Sequence, residues 1–330
     1  MRIRKLIWGL LLLISCSKPS ALPDAAVFLS VREAVTKVTD ASYDRESAVT
    51  RWTVFVFDTG NGWYRYASSE DAAPLSFSLR AGRRYACLAL VNPPLSLNPE
   101  TVASADDIRG MTARLEDELP GCLQMYGECL LLPSSGTQRQ EILVKRLSSR
   151  LELRGVNVDF STWPAWAGKT LQLRHIYVTN AYRTTAYGED YASVSPLRSA
   201  WYNTLGWHAG ESASAALDAL LGERNLNAAI DADHPYTLCH TFYLYPNPVD
   251  EDSRLTSAWT PRFTRLVLEA EVDGETYYYP ADVPAMHRNQ ACSVSSVVIR
   301  EPGSSTPEGA ALTSDVFSVS WDGGEHIILE

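Results

Sequence analysis

Short runs of alternating apolar and polar residues, separated by turn-forming residues, recur along this chain of 330 residues. A period of two places every second side chain on one face of a β-strand, so the pattern favours strands over helices. Segment 26–32 puts Val27, Leu29 and Val31 on one face, whereas both faces of segment 51–58 are apolar. The other strand-like segments are 75–79, 83–92, 147–158, 171–180, 241–247, 265–280, 294–300 and 316–329. Many short strands with few helices predict an all-β protein built of β-sandwiches.

Turn and cap residues add local predictions to this pattern. Asp273 and Gly274 tolerate positive φ and separate two strand-like halves, which is typical of a tight β-hairpin. Ser104 followed by Asp107 favours a capped helix over residues 105–119, and a second helical pattern covers residues 211–225. Gly155 interrupts a strand-like segment, so we expect an irregularity there. Helices are therefore expected to be few and short.

The chain is long enough for two domains, because single domains mostly contain about 100–200 residues. Residues 132–141 have the polar, glycine-containing composition of a linker. We place the boundary near Lys145, which predicts an N-terminal β-sandwich domain at 16–144 and a C-terminal β-sandwich domain at 145–330. Residues 1–15 form a separate signal segment.

The N-terminal residues have the composition of a bacterial lipoprotein signal. Arg2, Arg4 and Lys5 precede an apolar run at 6–14, which is far shorter than the ~20 residues that a transmembrane helix needs. Small Ser15 precedes Cys16, as in the motif at which such signals are cut and the cysteine is acylated. Each buried lipid methylene contributes ~0.8 kcal/mol, so an acylated Cys16 would hold the protein on a membrane. The alternative is a plain signal peptide with an incidental cysteine.

Charge and motif content exclude several classes of function. Acidic residues outnumber basic ones, 39 to 29, and a phosphate-binding surface needs clustered positive charge, so nucleic acid is not an expected partner. The six histidines lack the spacing of a helical metal pair, and the sequence has neither a nucleophile elbow nor a phosphate-binding glycine loop. We therefore expect no enzyme activity, no metal and no cofactor; the alternative is a hydrolase whose serine or cysteine nucleophile is assembled from distant residues. The acidic run at 250–252 is interpreted as a solvated loop, with a calcium site as the alternative.

Five cysteines follow Cys16, and the sequence leaves their disulfide state open. Cys122 and Cys129 are near enough in sequence to close a small loop. Cys87 and Cys292 lie in strand-like runs that favour core thiols, and the fifth cysteine is Cys239. The spacing of a structural zinc site is missing.

An aromatic stretch between residues 181 and 210 shows neither the period of a helix nor that of a strand and is interpreted as a long exposed loop. Trp201, Tyr202 and Trp207 could stack on a sugar ring there, as aromatic side chains do in lectins. Packing of the same loop onto its own domain is the alternative. The second functional hypothesis is therefore a monomeric surface lipoprotein that binds glycans through this loop.

Strand-like segments lie near both ends of the sequence, at 26–32 and 316–329. A terminal strand that leaves its sheet exposes unpaired backbone groups and an apolar groove. Another subunit's strand can fill that groove, which is β-strand addition used for assembly.

The chain resembles the Bacteroidales-type fimbrillins, which build type V pili, together with their anchor and tip relatives. The order of several long segments carries the resemblance. They are "ESAVTRWTVFVFDTGNGWYRY" at 46–66, "LSFSLRAGRRYACLALVNPP" at 75–94, "AGKTLQLRHIYVTNA" at 167–181 and "TRLVLEAEVDGETYYYPADVP" at 264–284.

This resemblance implies two transthyretin-like Greek-key β-sandwich domains and export as an outer-membrane lipoprotein at the cell surface. It also implies a fimbrial subunit whose partners are other fimbrial subunits, the membrane through its lipid, and a surface protease that removes the first strand. The removable strand would carry Val27, Leu29 and Val31. Candidate donor-strand residues are Phe317, Val319, Trp321, Ile327, Ile328 and Leu329.

One departure from the family concerns the cleavage site. The family's cut follows an arginine shortly before the glutamate that matches Glu46, and this sequence has Lys37 there. Arg32 and Arg45 are nearby substitutes. The resemblance leaves open whether the subunit is cut, and whether it serves in the stalk, at the tip or as an anchor.

Overall fold

The computed structural model describes residues 23–34, 46, 48–188, 195–204, 220–223, 226–247, 249, 259–308 and 317–322. Nearly all of its regular structure is β-strand. Within these ranges no helix reaches the length and apolarity that crossing a bilayer requires.

Twenty-one strands are present in the described residues. They are β1 Asp24–Glu33, β2 Trp52–Asp58, β3 Tyr64–Ser69, β4 Leu75–Arg80, β5 Tyr85–Val91, β6 Thr112–Arg114, β7 Met125–Leu131, β8 Gly136–Arg146, β9 Ser149–Leu153, β10 Asn157–Val158, β11 Leu171–Thr179, β12 Ala181–Tyr182, β13 Thr184–Ala186, β14 Trp201–Tyr202, β15 Gly222–Glu223, β16 Ala228–Ile230, β17 His240–Leu244, β18 Arg265–Val272, β19 Glu275–Asp282, β20 Ala291–Ile299 and β21 Phe317–Asp322. The α-helix is α1 Ala105–Gly110, and short 3-10 helices lie at Pro99–Thr101, Leu115–Asp117, Phe160–Thr162, Pro164–Trp166 and Arg198–Ala200.

The first group of strands has the order β3-β2-β5-β7-β8-β1-β4. β7 and β8 share two register pairs, at Met125 and Tyr126, and then diverge. Gly127 lies at the divergence, where an added Cβ would overlap the carbonyl oxygen of Leu143 in β8. One buried cluster combines apolar residues of β1, β4 and β8 with those of β2, β5 and β7. The two parts therefore face each other as the layers of a sandwich.

The second group of strands forms two further sheets. One has the order β10-β20-β9-β17 with β21 added to β20, and the other has the order β15-β11-β18-β19 with β16 added to β11. Leu151 and Val294 of one sheet and Ile176 and Leu268 of the other belong to the same buried cluster. The chain passes from the first group to the second between the end of β8 and the start of β9.

The predicted all-β class is confirmed, and so is the expectation that β2 is covered on both faces, since all seven of its residues are buried. The β18–β19 hairpin turns at Asp273 and Gly274, whose φ values of 54° and 85° are the positive angles that the tight turn requires. The division at residues 16–144 and 145–330 and the transthyretin-like Greek-key topology stay predictions.

The predicted helix over 105–119 is wrong in length. Ser104 and Asp107 form the expected capping box, but α1 ends at Gly110. Residues 112–114 instead form β6, which pairs with β13 in a separate two-stranded sheet. Residues 211–219 of the second predicted helix lie outside the described residues.

Candidate functional site

The strand β1 lies inside a sheet and not at its edge. It pairs in parallel with β8 over residues 25–33, and antiparallel with β4 over residues 24–29. Residues 25–29 are thus paired on both sides. The remaining strands of this sandwich all come from residues 52–146, so β1 completes a sheet built by a later part of the chain.

The side chains of the predicted first-strand residues point toward the core of the first sandwich, as their alternation requires. Val27 and Leu29 are fully buried in the first sandwich core, and Val31 is half-buried. The walls around them are formed by Phe77 of β4 and Ile142 of β8. Complete burial of a Val or Leu side chain contributes about 1.5–3 kcal/mol, so Val27 and Leu29 stabilise β1 in addition to its backbone hydrogen bonds.

The C-terminal end of β1 is fixed to the second group of strands. Glu33 lies 3.0 Å from Nε of Arg146, whose side chain is almost completely buried. Asn289, which lies between β19 and β20 of the second group, contacts both the end of β1 and Arg146 of β8. Its side-chain amide donates to the Ala34 carbonyl at 2.9 Å, and its Oδ1 accepts from Arg146 Nε at 2.9 Å. β1 therefore ends at the junction between the two groups of strands.

Glu46 is bound at the same junction. Its side chain is buried, and Oε2 pairs with Arg146 and, at 3.1 Å, with Nη1 of Arg150. The Tyr243 hydroxyl donates to Oε1 of Glu46 at 2.6 Å. Burial and then this hydrogen bond raise the pKa of Tyr243, so the phenol keeps its proton. Arg146 thus contacts Glu33 and Glu46, which lie on either side of residues 35–45.

A second buried contact joins the two groups of strands. Glu118 is completely buried, and its carboxyl group accepts from the Gln124 backbone N–H at 2.8 Å and from the Tyr245 hydroxyl at 3.0 Å. Burial outweighs these hydrogen bonds and raises the pKa of Glu118 to about 8. The Tyr187 hydroxyl donates to Oε1 of Gln124 at 2.5 Å beside it.

The three predicted cleavage residues have different positions. Arg32 is part of β1 and forms an ion pair with Glu141 at 2.7 Å, with both side chains about half exposed. Its backbone belongs to the ladder with β8, whereas proteases cut mainly exposed loops. Lys37 and Arg45 lie outside the described residues. The arrangement therefore disfavours Arg32 as a cleavage site in the folded chain.

The predicted donor residues are partly described. Phe317, Val319 and Trp321 belong to β21, which pairs with β20 and, within the described residues, with no other strand. Val319 is half-buried against the second core. Ile327, Ile328, Leu329 and the lipidation candidate Cys16 lie outside the described residues.

The expectation that Trp201 and Tyr202 are exposed is wrong, since they are 1% and 4% exposed. They form β14, which pairs with β12, and the Trp201 ring packs against Tyr182 at 4.7 Å. Arg183 covers the Tyr202 ring at 3.9 Å. Trp207 lies outside the described residues, so two of the three aromatic residues proposed for glycan stacking are buried in the protein.

Among the described residues no group of three His, Cys, Asp or Glu side chains is placed to hold a metal ion. The acidic run at 250–252 falls outside them.

Sequence reasoning missed the charged junction. Arg150 and Glu152 alternate with apolar residues in β9, although every residue of this strand is buried. Charged residues are almost never fully buried unless they are paired, so two of them at alternate positions of a predicted core strand were the available signal. The partner Glu46 lies about a hundred residues earlier, and the sequence does not identify it.

The fold is similar to solved structures, whereas no protein-family model and no curated protein sequence matches the chain. A protein from Bacteroides eggerthii assigned to cell adhesion has a TM-score of 0.63 and 14% identity, over 92% of this chain and 96% of that one. The fimbrilin FimA of Porphyromonas gingivalis has a TM-score of 0.60 and 13% identity, over 93% and 99%. The C-terminally truncated tip fimbrial protein Mfa3 of the same organism has a TM-score of 0.55 and 12% identity, over 92% and 100%. The resemblance to Bacteroidales fimbrillins is thereby confirmed at the level of the fold.

Proposed function

We propose that this chain is a structural, non-catalytic subunit of a cell-surface fimbria, exported as a lipoprotein and joined to its neighbours by donor-strand exchange. The observation that carries the proposal is the position of β1 between β4 and β8. A strand from the start of the sequence fills a groove formed by residues 75–146. If β1 leaves, two strand edges and an apolar groove are exposed, and a strand from another subunit can occupy them.

Cleavage within residues 35–45 would separate β1 from the rest of the chain. This segment contains Lys37 and Arg45, the two candidate sites that do not lie in β1. Loss of β1 would remove Glu33 from Arg146, but Glu46 would keep its bonds to Arg146, Arg150 and Tyr243. The buried cluster therefore supports a defined boundary between a removable segment and a retained one.

The donor would come from residues 317–329 of a neighbouring subunit. β21 pairs with one strand in the described residues, so its release breaks a single ladder. Phe317, Val319 and Trp321 alternate as the inward residues of β1 do, which is the pattern that a groove of alternate pockets requires.

The test uses the full chain with a site-specific protease sequence introduced between residues 37 and 43. We expect the uncut protein to remain monomeric. After cleavage, residues 23–34 should dissociate slowly and the protein should form oligomer ladders that resist sodium dodecyl sulfate.

The matched control is the same variant without residues 315–330. It should be cut equally well, remain monomeric, and bind an added synthetic peptide of residues 316–330. Equal ladders from both variants would contradict the donor assignment. Cut protein that neither forms ladders nor binds the peptide would contradict strand exchange as a whole.

Lipid anchoring has its own test. Cys16→Ala removes the acylated thiol, so the protein should be lost from the membrane fraction of cells that express it. The measurement is immunoblotting of fractionated cells, with Cys239→Ala as the control that should stay in the membrane fraction. Unchanged membrane retention of Cys16→Ala would contradict the lipoprotein assignment.

A further inference from the structure

Cys87 and Cys129 face each other across two neighbouring strands. Cys87 lies in β5 and Cys129 in β7, and the antiparallel register pairs these two residues directly. Directly opposed residues on antiparallel strands point to the same face, here toward the first sandwich core. Both are thiols in this structure.

The backbone spacing at such a position suits a disulfide. Opposed Cα atoms in an antiparallel pair are about 4.5 or 5.5 Å apart, depending on the hydrogen-bonding position. Both values fall within the range of about 4.4–6.8 Å that disulfides span. A bond between the two sulfurs therefore needs side-chain rotation and no rearrangement of the sheet.

The two thiols also differ as reactants. Cys87 is fully buried, whereas Cys129 is partly exposed. Their mutual hydrogen bond lowers the pKa of Cys129, and the same bond together with burial raises the pKa of Cys87. Cys129 is thus the thiol that an external oxidant reaches first and the better thiolate.

The alternative pair, Cys122 and Cys129, is separated by the strand. The Cys122 sulfur lies 3.2 Å from Oγ1 of Thr50, next to the end of the sheet where Val91 pairs with Met125. Cys129 lies four residues further along β7, and each strand residue adds about 3.3 Å. Closing the Cys122–Cys129 loop would therefore require the start of β7 to leave the sheet.

We infer that Cys87 and Cys129 form a cross-strand disulfide when the protein is exposed to a disulfide oxidant. The Cys129 thiolate attacks one sulfur of the oxidant's disulfide and displaces its other sulfur as a thiolate. The Cys87 thiolate then attacks the Cys129 sulfur of this mixed disulfide and releases the second thiolate. The two cysteines lose two electrons and two protons, and the oxidant's disulfide is reduced to two thiols.

The position of this bond gives it a structural role. It would join β5 to β7 in the layer that faces β1, and it would close the loop that contains α1 and β6. A covalent link in that layer limits how far it can open when β1 is absent. The inference needs only an oxidant and does not depend on fimbrial assembly.

The test equilibrates the full chain with reduced and oxidised glutathione, blocks remaining thiols with N-ethylmaleimide and digests the protein with trypsin. Cys87 then lies in peptide 85–109, and both Cys122 and Cys129 lie in peptide 115–139. We expect mass spectrometry to find the two peptides linked, with Cys122 carrying the blocking group. Two fully blocked peptides, or an internal loop within 115–139, would overturn the inference.

Two variants assign the sulfur atoms. Cys122→Ser should retain the linked peptides, whereas Cys129→Ser should lose them. Reduction should lower the Tm of Cys122→Ser by roughly 5–10 °C and leave that of Cys129→Ser unchanged. Linked peptides that persist in Cys129→Ser would show that Cys87 bonds elsewhere, and would overturn the pairing.

Discussion

The two terminal strands of the described chain differ in how their sheets hold them. β1 is paired on both sides and contributes fully buried side chains to the first core. β21 pairs with β20, with an irregularity between Val294 and Ser296, and its Val319 is half-buried. Similar alternating sequences can therefore serve as an inner strand that is hard to remove or as an outer strand that is easily released.

This difference is one of position more than of composition. An inner strand satisfies the backbone groups of two neighbours, so its removal exposes two edges, whereas an outer strand exposes one. The contrast predicts that the groove between β4 and β8 holds a strand firmly, whereas β21 leaves its sheet more easily. Substitutions in the two strands, at the junction between the two groups and at equivalent strand ends test it.

Leu29→Asp should have the largest effect, because it buries an unpaired carboxylate in the first core. We expect a loss of about 4–5 kcal/mol in the free energy of unfolding, measured by urea denaturation. Val319→Asp, on the outer strand, should cost less than about 2 kcal/mol. Equal losses from the two variants would contradict the distinction between the strands.

Glu46→Ala should follow, because it leaves Arg146 and Arg150 without a shared buried carboxylate. Breaking a buried ion pair in this way costs about 3–5 kcal/mol. The matched control is Glu141→Ala, which breaks the surface pair with Arg32 and should cost at most about 1 kcal/mol. Denaturation curves of the two variants would show the contrast, and a small effect at Glu46 would count against the cluster as the anchor of the junction.

Glu118→Gln tests the energetic effect of the carboxyl group that is buried where the two groups of strands meet. Burial raises the pKa of Glu118 to about 8 from an ordinary 4.5, so between these pH values the folded chain keeps a proton that the unfolded chain has released. This group should therefore lower stability as pH rises, by up to about 1.4 kcal/mol per pH unit in that window.

Glutamine carries no such proton, so the decline in Tm between pH 5 and pH 8 should be smaller in Glu118→Gln than in the wild type. The exposed Glu141→Gln variant is the control and should follow the wild-type curve. An identical pH profile for Glu118→Gln and the wild type would contradict the raised pKa.

The smallest effects compare equivalent strand ends. Asn92 and Asn180 directly follow β5 and β11 and have φ of 51° and 53°, angles that alanine adopts with strain. The Asn92 side chain also donates to two carbonyls, those of Ala48 and Leu123, whereas the Asn180 side chain donates to one, that of Phe263. We expect Asn92→Ala to cost about 2 kcal/mol and Asn180→Ala about 1 kcal/mol by chemical denaturation. Because the two φ angles are nearly equal, strain should cost both variants about the same, and the reverse order would contradict a larger contribution from the Asn92 hydrogen bonds.

Local patterns predicted much of the fold because its strands alternate strongly. Period-two alternation placed β1, an apolar run placed β2, and the turn residues Asp273 and Gly274 placed the hairpin, all near their observed bounds. The helix at Ser104 ended early because residues 112–114 gain a strand partner far away in sequence, in β13. That partner is a tertiary effect that local propensity does not contain.

The candidate site was likewise predictable from the sequence only in part. The first strand was predictable from Val27, Leu29 and Val31, since their alternation is local. The cluster around Glu46 was not, because its members meet only after folding brings Arg146 and Tyr243 to it. Trp201 was misjudged because a two-residue strand such as β14 is too short to show a period.

The long parallel ladder between β1 and β8 has a mechanical consequence. Its register runs from Ala25 to Glu33, and the antiparallel ladder with β4 supports the first part on the other side. A pull along the axis of a strand held this way loads many hydrogen bonds at once, so they resist together and do not open one after another. Any strand that fills the groove between β4 and β8 over the same length would act as a tensile joint, able to carry load along the strand axis.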